Sequence, residues 1–272
     1  MRPGLSAAVL LAALLGGMAS ASPAPATPAV LVHLCYENSE IAPWRFRDRS
    51  GLNFLMLEAV ARESNVRFVY HARPWRRCQD DLRAGRVDGA FGMSYTPERA
   101  SFAVYPGGIH PDPARRMFEG GYVLVRRAGT PVHLEGGRIR GLSGPIGAEP
   151  SHSIALDLAR AGYEVDDGSP GPEALLRKLK AGRLGAAAVG TDQAHNLRRD
   201  DPALFDGLEV LPVPLVEKPY FLVFSRPFVR SRPVLAERLW EAIATVRESP
   251  GYQAALAEAR GRQAPASTGP RP

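Results

Sequence analysis

The chain of 272 residues lacks the short motifs on which common catalytic centres are built. It contains no His-Glu-x-x-His pair, no Cys-x-x-Cys pair, no phosphate-binding glycine loop and no Gly-x-Ser-x-Gly turn. There are only two cysteines, and no Cys/His cluster with metal-ligand spacing accompanies them. These absences argue against a zinc enzyme, a nucleotide hydrolase and a serine hydrolase, so we expect no enzyme and no cofactor.

The chain also has only a small excess of positive charge. The formal net charge is +6 at pH 7, and the densest basic cluster, formed by Arg73, Arg76 and Arg77, is short. A nucleic-acid-binding surface would need a longer basic stripe. The composition therefore predicts no nucleic-acid partner and, at most, some preference for anionic ligands.

Long apolar runs are missing after the first 21 residues. Within that segment Arg2 precedes an apolar stretch at 5–17 and the small residues Ala19-Ser20-Ala21, which is the order of a cleaved secretory signal. The stretch is too short for a comfortable membrane span. We expect an exported protein whose mature chain starts near Ser22.

Two similar segments lie 97 residues apart, LRAGRVDGA at 82–90 and LKAGRLGAA at 179–187. Each predicts the end of a helix, a glycine turn and the start of a buried strand. Ligands of open α/β sheets bind at the carboxyl ends of the strands. The repetition therefore predicts two similar α/β lobes with a cleft between them.

Periodicity along the chain supports this organisation. Strands are predicted at 29–37, 66–72, 87–93, 121–127, 144–149, 184–190 and 220–226. Helices are predicted at 52–64, 77–85, 150–162, 172–182 and 233–249. The alternating order favours parallel sheets. We expect a first lobe at 22–112 and 217–262, a second lobe at 113–216, a hinge at the two crossings and a disordered polar tail at 263–272.

The two cysteines, Cys35 and Cys78, are predicted at the end of the first strand and the start of the second helix. An even pair in an oxidising compartment favours a disulfide, and adjacent strands would bring the two close together. A metal pair or a reactive thiol remains the alternative.

Several motifs together resemble the bacterial extracellular solute-binding proteins of family 3, the amino-acid-type periplasmic binding proteins of ABC transporters. They are Pro43-Trp44 followed by Gly51, Pro74-Trp75, the segment 82–88, and Ser94-x-Thr96-x-x-Arg99. The resemblance implies an α/β, two-lobed type II fold, each lobe a mainly parallel sheet flanked by helices, joined by a two-strand hinge. It also implies a monomer of the periplasm that captures a small anionic or zwitterionic, amino-acid-like solute and delivers it to a membrane transporter. A sensing module for a membrane receptor is the alternative, and a hydrolase is less expected.

The resemblance further suggests ligand contacts in the first lobe. Arg99 falls where the family's arginine binds the ligand carboxylate, for which a planar guanidinium is suited; pairing with an acidic neighbour is the alternative. Ser94 and Thr96 lie on the same loop. Trp44 could form an aromatic wall or pack against its neighbouring proline, and Trp75 could line the cleft or the core.

In the second lobe, Ser151, His152 and Ser153 begin a predicted helix, where hydroxyl and backbone N–H groups bind anions. Ordinary capping is the alternative, and catalysis by a serine and a histidine is the least expected. Gly190 stands where relatives that bind amino acids carry an acid for the ammonium group. Asp192 or Glu37 would have to supply that charge, or the ligand lacks an ammonium group.

Overall fold

A computed structural model describes residues 29–263, so the predicted signal segment and residues 264–272 lie outside the described part. The strands there are β1 (Val30–Glu37), β2 (Val66–Arg73), β3 (Gly89–Ser94), β4 (Ala103–Val104), β5 (Phe118–Arg127), β6 (His133–Glu135), β7 (Arg138–Arg140), β8 (Ile146–Gly147), β9 (Val165–Asp166), β10 (Ala186–Gly190), β11 (Leu208–Val210) and β12 (Val216–Ser225). The helices are α1 (Leu52–Glu63), α2 (Trp75–Arg83), α3 (Pro97–Ala100), α4 (Ser153–Arg160), α5 (Pro172–Lys180), α6 (Thr191–Asp200), α7 (Arg226–Ser231), α8 (Pro233–Glu248) and α9 (Pro250–Gln263).

One sheet runs through the molecule in the order β2-β1-β3-β12-β5-β10-β8-β9. Strand β1 is parallel to β2 and β3, and β8 is parallel to β9 and β10. Between these parallel halves, β12 and β5 are antiparallel, with Tyr220 opposite Phe118 and Val216 opposite Tyr122. The two antiparallel strands are the crossings between the halves, as expected for a two-strand hinge.

The repeated segments fold alike. Gly85 follows α2 with φ of +66°, and Gly182 follows α5 with φ of +75°. This left-handed conformation ends a helix at low cost only for glycine. Leu82 and Leu179 each lie one position before the last residue of their helix, and both side chains are fully buried. The sequence repeat thus corresponds to two equivalent helix-turn-strand units.

Buried apolar side chains form four clusters. Two contain side chains from residues 32–117 and 221–259, and two contain side chains from residues 122–208. We use first lobe for the half with β1–β3 and second lobe for the half with β8–β10. Each lobe therefore has its own hydrophobic core, so a cleft can lie between the two lobes.

Several elements differ from the sequence prediction, among them α6 and α7, for which no helix was predicted. Helix α4 begins at Ser153, after the turn that was expected to be its first residues, and the loop after β3 ends in the short helix α3. Helix α9 was not predicted, and its last residue, Gln263, is the first residue of the expected tail. Tyr252 and Ala259, seven residues apart, are its buried side chains in the first lobe's core. Because its buried apolar positions are so few, the sequence of this segment does not show the periodic apolar pattern that predicts a helix.

The predicted disulfide is confirmed. Cys35 in β1 and Cys78 in α2 are bonded, with their Cα atoms 5.6 Å apart. Both cysteines are fully buried in a core cluster that also contains Trp75 and Met93. The bond ties α2, and the strand end before it, to the centre of the first lobe's sheet.

Candidate functional site

A cavity lies between the lobes, where the carboxyl ends of β1, β3 and β10 meet the hinge. Its volume, taken as the space that the centres of water-sized molecules can occupy, is about 70 Å³. Seven of the residues predicted as ligand contacts line it: Glu37, Trp44, Trp75, Ser94, Arg99, His152 and Asp192. Thr96, Ser151 and Ser153 are not part of this lining.

Arg99 is the central cation of the cavity. Its side chain is buried, and its Nη1 donates to the carbonyl oxygen and the hydroxyl of Ser94 at 2.8 and 3.0 Å. The guanidinium carbon lies 5.6 Å from the ring centre of Trp75, within cation–π range. Arg99 forms no ion pair within residues 29–263, and its buried Nε has no hydrogen-bond partner. A buried guanidinium without a carboxylate is costly unless an anion arrives to bind it.

The alternative partners of Arg99 are occupied elsewhere. Asp88 accepts a hydrogen bond from the backbone N–H of His33 at 2.7 Å, which secures the entry to β3. Glu98 pairs with Arg160 of the second lobe at 3.1 Å. Neither carboxylate therefore neutralises Arg99.

Local geometry explains how Arg99 reaches the cavity. Thr96 is the N-cap of α3, and its hydroxyl accepts a hydrogen bond from the backbone N–H of Arg99 at 3.2 Å. Pro97 occupies the first helical position, where its missing N–H costs nothing. Thr96 thus uses its hydroxyl to build the turn, and its effect on the cavity is to position Arg99.

The turn from Glu149 to Ser153 brings the second lobe against Arg99. Ser151 has φ of +64°, a left-handed conformation that is unusual for a serine. Its carbonyl oxygen accepts hydrogen bonds from Arg99 Nη2 at 2.9 Å and from Gln79 at 3.2 Å. The hydroxyls of Ser94 and Ser153 are 2.9 Å apart. The two lobes therefore touch directly at the arginine, in a closed arrangement.

A chain of charged groups crosses the cleft beside this turn. Glu37 accepts from Arg45 at 2.6 Å and contacts His152 Nε2 at 3.1 Å, and His152 Nδ1 lies 3.8 Å from Glu149. Burial alone would raise the pKa of Glu37, but His152 and Arg45 outweigh it and lower that pKa to about 2. Burial likewise works to lower the pKa of His152, and the carboxylates of Glu37 and Glu149 raise it overall. The pair is therefore charged in the closed arrangement.

Aromatic side chains form another part of the cavity wall. Trp44 stacks on Phe118 with ring centres 4.3 Å apart, and Phe118 stacks on Tyr220 at 4.9 Å. Trp44 Nε1 also donates to Asp192 of the second lobe at 2.7 Å. Trp44 therefore contributes to the cavity wall and to closure, rather than only packing on its neighbouring proline. Trp75 lines the cavity as well as the core.

The sequence reasoning missed several lining residues. They are Ile41, Arg45, Phe91, Phe118, Tyr122, Thr191, Gln193 and Tyr220, together with glycines of β3, β5 and β10. Phe118, Tyr122 and Tyr220 lie on the hinge strands, whose sequence pattern indicates ordinary buried strands. Arg45 could have been suspected from its position after Trp44, but three arginines in one loop gave no reason to prefer it.

A second, larger cavity continues the cleft outward. It offers about 660 Å³ to water-sized molecules and shares Glu37, Trp75, His152 and Gln193 with the inner cavity. Ser151 lies on its lining. The contact between Glu37 and His152 thus stands at the junction of the inner and outer cavities. Among residues 29–263, no group of three or more His, Cys, Asp and Glu side chains is arranged to hold a metal ion.

Comparisons with known proteins identify the fold. No protein-family model matches the sequence, and neither does any curated protein. A histidine kinase sensor domain with similarity to periplasmic binding proteins matches with a TM-score of 0.67 and 20% identity over 86% of this chain and 97% of its own. The substrate-binding protein of an amino acid ABC transporter matches with a TM-score of 0.58 and 15% identity, covering 84% and 98% of the two chains. ArtJ, the arginine-, lysine-, histidine-binding protein of Geobacillus stearothermophilus, matches with a TM-score of 0.62 and 17% identity, covering 85% and 95%.

These similarities cover nearly the whole of each solved chain. The molecule has the two-lobed type II fold of periplasmic binding proteins, with each lobe built on a mainly parallel sheet and two antiparallel strands joining them. The fold class predicted from the sequence is therefore confirmed.

Proposed function

We propose that this chain is an exported solute-binding protein of the family 3 type, which captures a small anionic or zwitterionic, amino-acid-like solute between its lobes. The observation that carries the proposal is Arg99, a buried guanidinium that faces the cavity without a carboxylate partner and with its Nε unsatisfied. One of its two Nη2 protons is also without a partner in the described part of the chain. Nε and Nη2 together present two adjacent donors, which matches the two oxygens of a carboxylate.

Closure of the lobes would strengthen such binding. Contacts that cross the cleft include Trp44 with Asp192 and Arg99 with the Ser151 carbonyl. Removing water from around a charge pair lowers the local dielectric and increases the attraction. A solute bound to Arg99 in the first lobe and contacted by the second lobe would therefore favour the closed arrangement.

Delivery to a membrane transporter is the role we favour, because the similar structures include the substrate-binding protein of an amino acid ABC transporter and an amino-acid-binding protein. The similarity to a histidine kinase sensor domain keeps ligand sensing, through a separate membrane receptor, as the second candidate. Identification of the membrane protein captured by the liganded form, and of its dependence on ligand, distinguishes the two roles.

We propose no catalysis at the turn with Ser151 and His152. The Nε2 atom of His152 contacts Glu37 and its Nδ1 faces Glu149, so neither nitrogen activates a neighbouring serine. The hydroxyl of Ser153 is shared with Ser94 and Lys218. Lys218 is ion-paired with Asp157, which favours its charged form, and a charged ammonium group cannot accept the proton of the Ser153 hydroxyl. His152 is therefore not placed to act as a general base toward these serines.

The periplasm is the proposed location, because the first 21 residues have the pattern of a cleaved signal. No helix within residues 29–263 is long and apolar enough to cross a membrane. We propose that the mature protein works as a monomer with lobes at 22–112 with 217–262, and 113–216, and that it uses no cofactor.

A thermal-shift screen with amino acids, organic acids, polyamines and small peptides tests the proposal. A solute present at 100 times its Kd should add about 2.7 kcal/mol to the free energy of unfolding. We expect Arg99→Lys to weaken that solute at least tenfold by calorimetry, since a single ammonium cannot offer two fixed donors.

Arg238→Ala is the matched control, because Arg238 is exposed on α8 and forms no ion pair within residues 29–263. Its affinity should equal that of the unaltered protein. Unchanged affinity in Arg99→Lys would show that Arg99 does not bind the solute.

A further inference from the structure

The cationic groups around the inner cavity have unused hydrogen-bond donors. Arg99 has an unpartnered Nε, which is buried. Arg45 uses Nε and Nη2 on Ser39 and Glu37, whereas its Nη1 donates to no described residue. That Nη1 lies 3.9 Å from where a Cβ at Gly92 would stand, and both Arg45 and Gly92 line the cavity. The absence of a side chain at Gly92 leaves this donor open to the cavity.

The acidic groups near the cavity, unlike these cationic groups, already have hydrogen-bond partners. Both carboxylate oxygens of Glu37 are bound, one by Arg45 at 2.6 Å and the other by His152 at 3.1 Å. Glu149 is buried outside the inner lining, where burial raises its pKa and the Gln193 amide bonds to it. Neither carboxylate is available to a cation in the cavity.

Asp192 is the remaining acid of the inner lining. One of its oxygens accepts the indole N–H of Trp44 at 2.7 Å, which holds the two lobes together. Burial raises the pKa of Asp192 and so weakens its preference for the charged form. Its contact with Trp44 makes Asp192 part of lobe closure.

The end of β10 offers no further acid. Gly190 lines the cavity there, and a Cβ added at this position would collide with the Oε1 atom of Gln193. Gln193 in turn bonds to Glu149. The place from which a side chain of β10 could reach the solute is thus filled by a neutral amide.

Resting on the proposed function, we infer that the solute is a small monocarboxylate that carries no ammonium group. Arg99 has no carboxylate partner in the cavity, whereas the two acids of the inner lining are already engaged across the cleft, Glu37 by Arg45 and His152 and Asp192 by the indole N–H of Trp44. A buried ammonium group without a carboxylate would pay a large desolvation cost. A carboxylate at Arg99 instead satisfies the orphaned donor.

The cavity also limits the size of this acid. Its 70 Å³ corresponds to about five to seven water-sized groups, at 10–15 Å³ each. Part of the cavity wall is formed by the stacked rings of Trp44, Phe118 and Tyr220. A short hydroxy, keto or unsubstituted acid with an apolar body fits this combination.

Matched pairs of solutes test the inference by calorimetry on the mature protein, freed of any bound solute by unfolding and refolding. The pairs are glycine with glycolate, L-alanine with L-lactate, and L-valine with L-2-hydroxyisovalerate. In the pair that binds best we expect the hydroxy acid to bind at least tenfold more tightly. An amino acid that binds as tightly as its hydroxy acid overturns the inference while leaving the proposed function intact. Failure of all six to bind also overturns the inference, and failure of the whole thermal-shift screen counts against the proposed function itself.

Two variants sharpen the result. Asp192→Asn should leave the ratio of hydroxy-acid to amino-acid affinity unchanged, because Asp192 serves closure. A selective loss of affinity for the amino acid would assign Asp192 to an ammonium group and refute the inference.

The double variant Gly190→Asp, Gln193→Ala removes the amide and adds a carboxylate at the end of β10. It should shift the ratio at least tenfold toward the amino acid, and an unchanged ratio would contradict the assignment of that position.

Discussion

Replacement of His152 by glutamine should destabilise the protein in a pH-dependent way. In the closed arrangement His152 contacts Glu37 at 3.1 Å and faces Glu149 at 3.8 Å, with Arg99 nearby as a like charge and Arg45 on the far side of Glu37. Glutamine keeps a donor for Glu37 but never carries a proton charge. The variant therefore isolates the contribution of that charge.

The magnitude follows from the pKa of Glu37, which falls from 4.5 to about 2. A shift of that size corresponds to about 3 kcal/mol of preference for the charged form. Since Arg45 shares the effect, the His152 part is about 1–2 kcal/mol, which for a chain of this size is a loss of about 2–8 °C in Tm.

The sign of the pH dependence follows from the two shifts. The pKa of His152 is raised from 6.5 in the folded protein, so its contribution is complete below about pH 6.5 and disappears as the pH rises through the raised pKa. The pKa of Glu37 is lowered, so its contribution is present above 4.5 and disappears as the pH falls toward 2. The difference between the two proteins should be largest near pH 5.5 and should shrink by pH 9.

Thermal melts followed by circular dichroism from pH 5 to pH 9 measure this difference. His110→Gln is the control, because His110 is exposed. The radius of gyration without ligand separates an opened cleft from a damaged fold. An equal loss of Tm at pH 5.5 and pH 9 would refute the reasoning, since it would mean that His152 acts through packing alone.

Two further predictions follow. Reduction of the bond between Cys35 and Cys78, which are 43 residues apart, should lower the free energy of unfolding by about 4 kcal/mol, measured by urea unfolding with and without reductant; identical midpoints would contradict it. Trp44→Phe keeps the stacking on Phe118 but removes the bond to Asp192, and should cost about 1.5–3 kcal/mol in the same assay. If Trp44→Phe is neutral, the bond to Asp192 contributes nothing to closure.

The fold could be predicted from the sequence because its helices, turns and strands are indicated by residues close to one another along the chain. Leu82 and Leu179 at helical positions, each followed three residues later by a glycine in the left-handed conformation, mark the same unit twice. The pairing of Cys35 with Cys78 followed from the predicted adjacency of their elements. Helix α9 escaped prediction because few of its side chains are buried.

The candidate site was predictable where a side chain follows its strand directly. Arg99 comes five residues after the end of β3, and Trp44 lies in the loop after β1. Phe118, Tyr122 and Tyr220 were missed because they lie inside the hinge strands, and only the closing of one lobe on the other turns those strands into a wall. Arg45 was missed because its place in the cavity depends on its ion pair with Glu37, which lies on a different element.

The sequence alone thus determined the two α/β units, the disulfide and the carboxyl-end loop that carries Arg99. Each of these depends on neighbours along the chain, whose spacing is written in the order of residues. Only the tertiary structure decided which charged groups have hydrogen-bond or ion-pair partners. Glu37 is bound by Arg45 and His152, Asp192 by Trp44, and Arg99 by no acid within residues 29–263. Electrostatic pairing depends on distance through space and on the exclusion of water, and both arise only when the lobes meet.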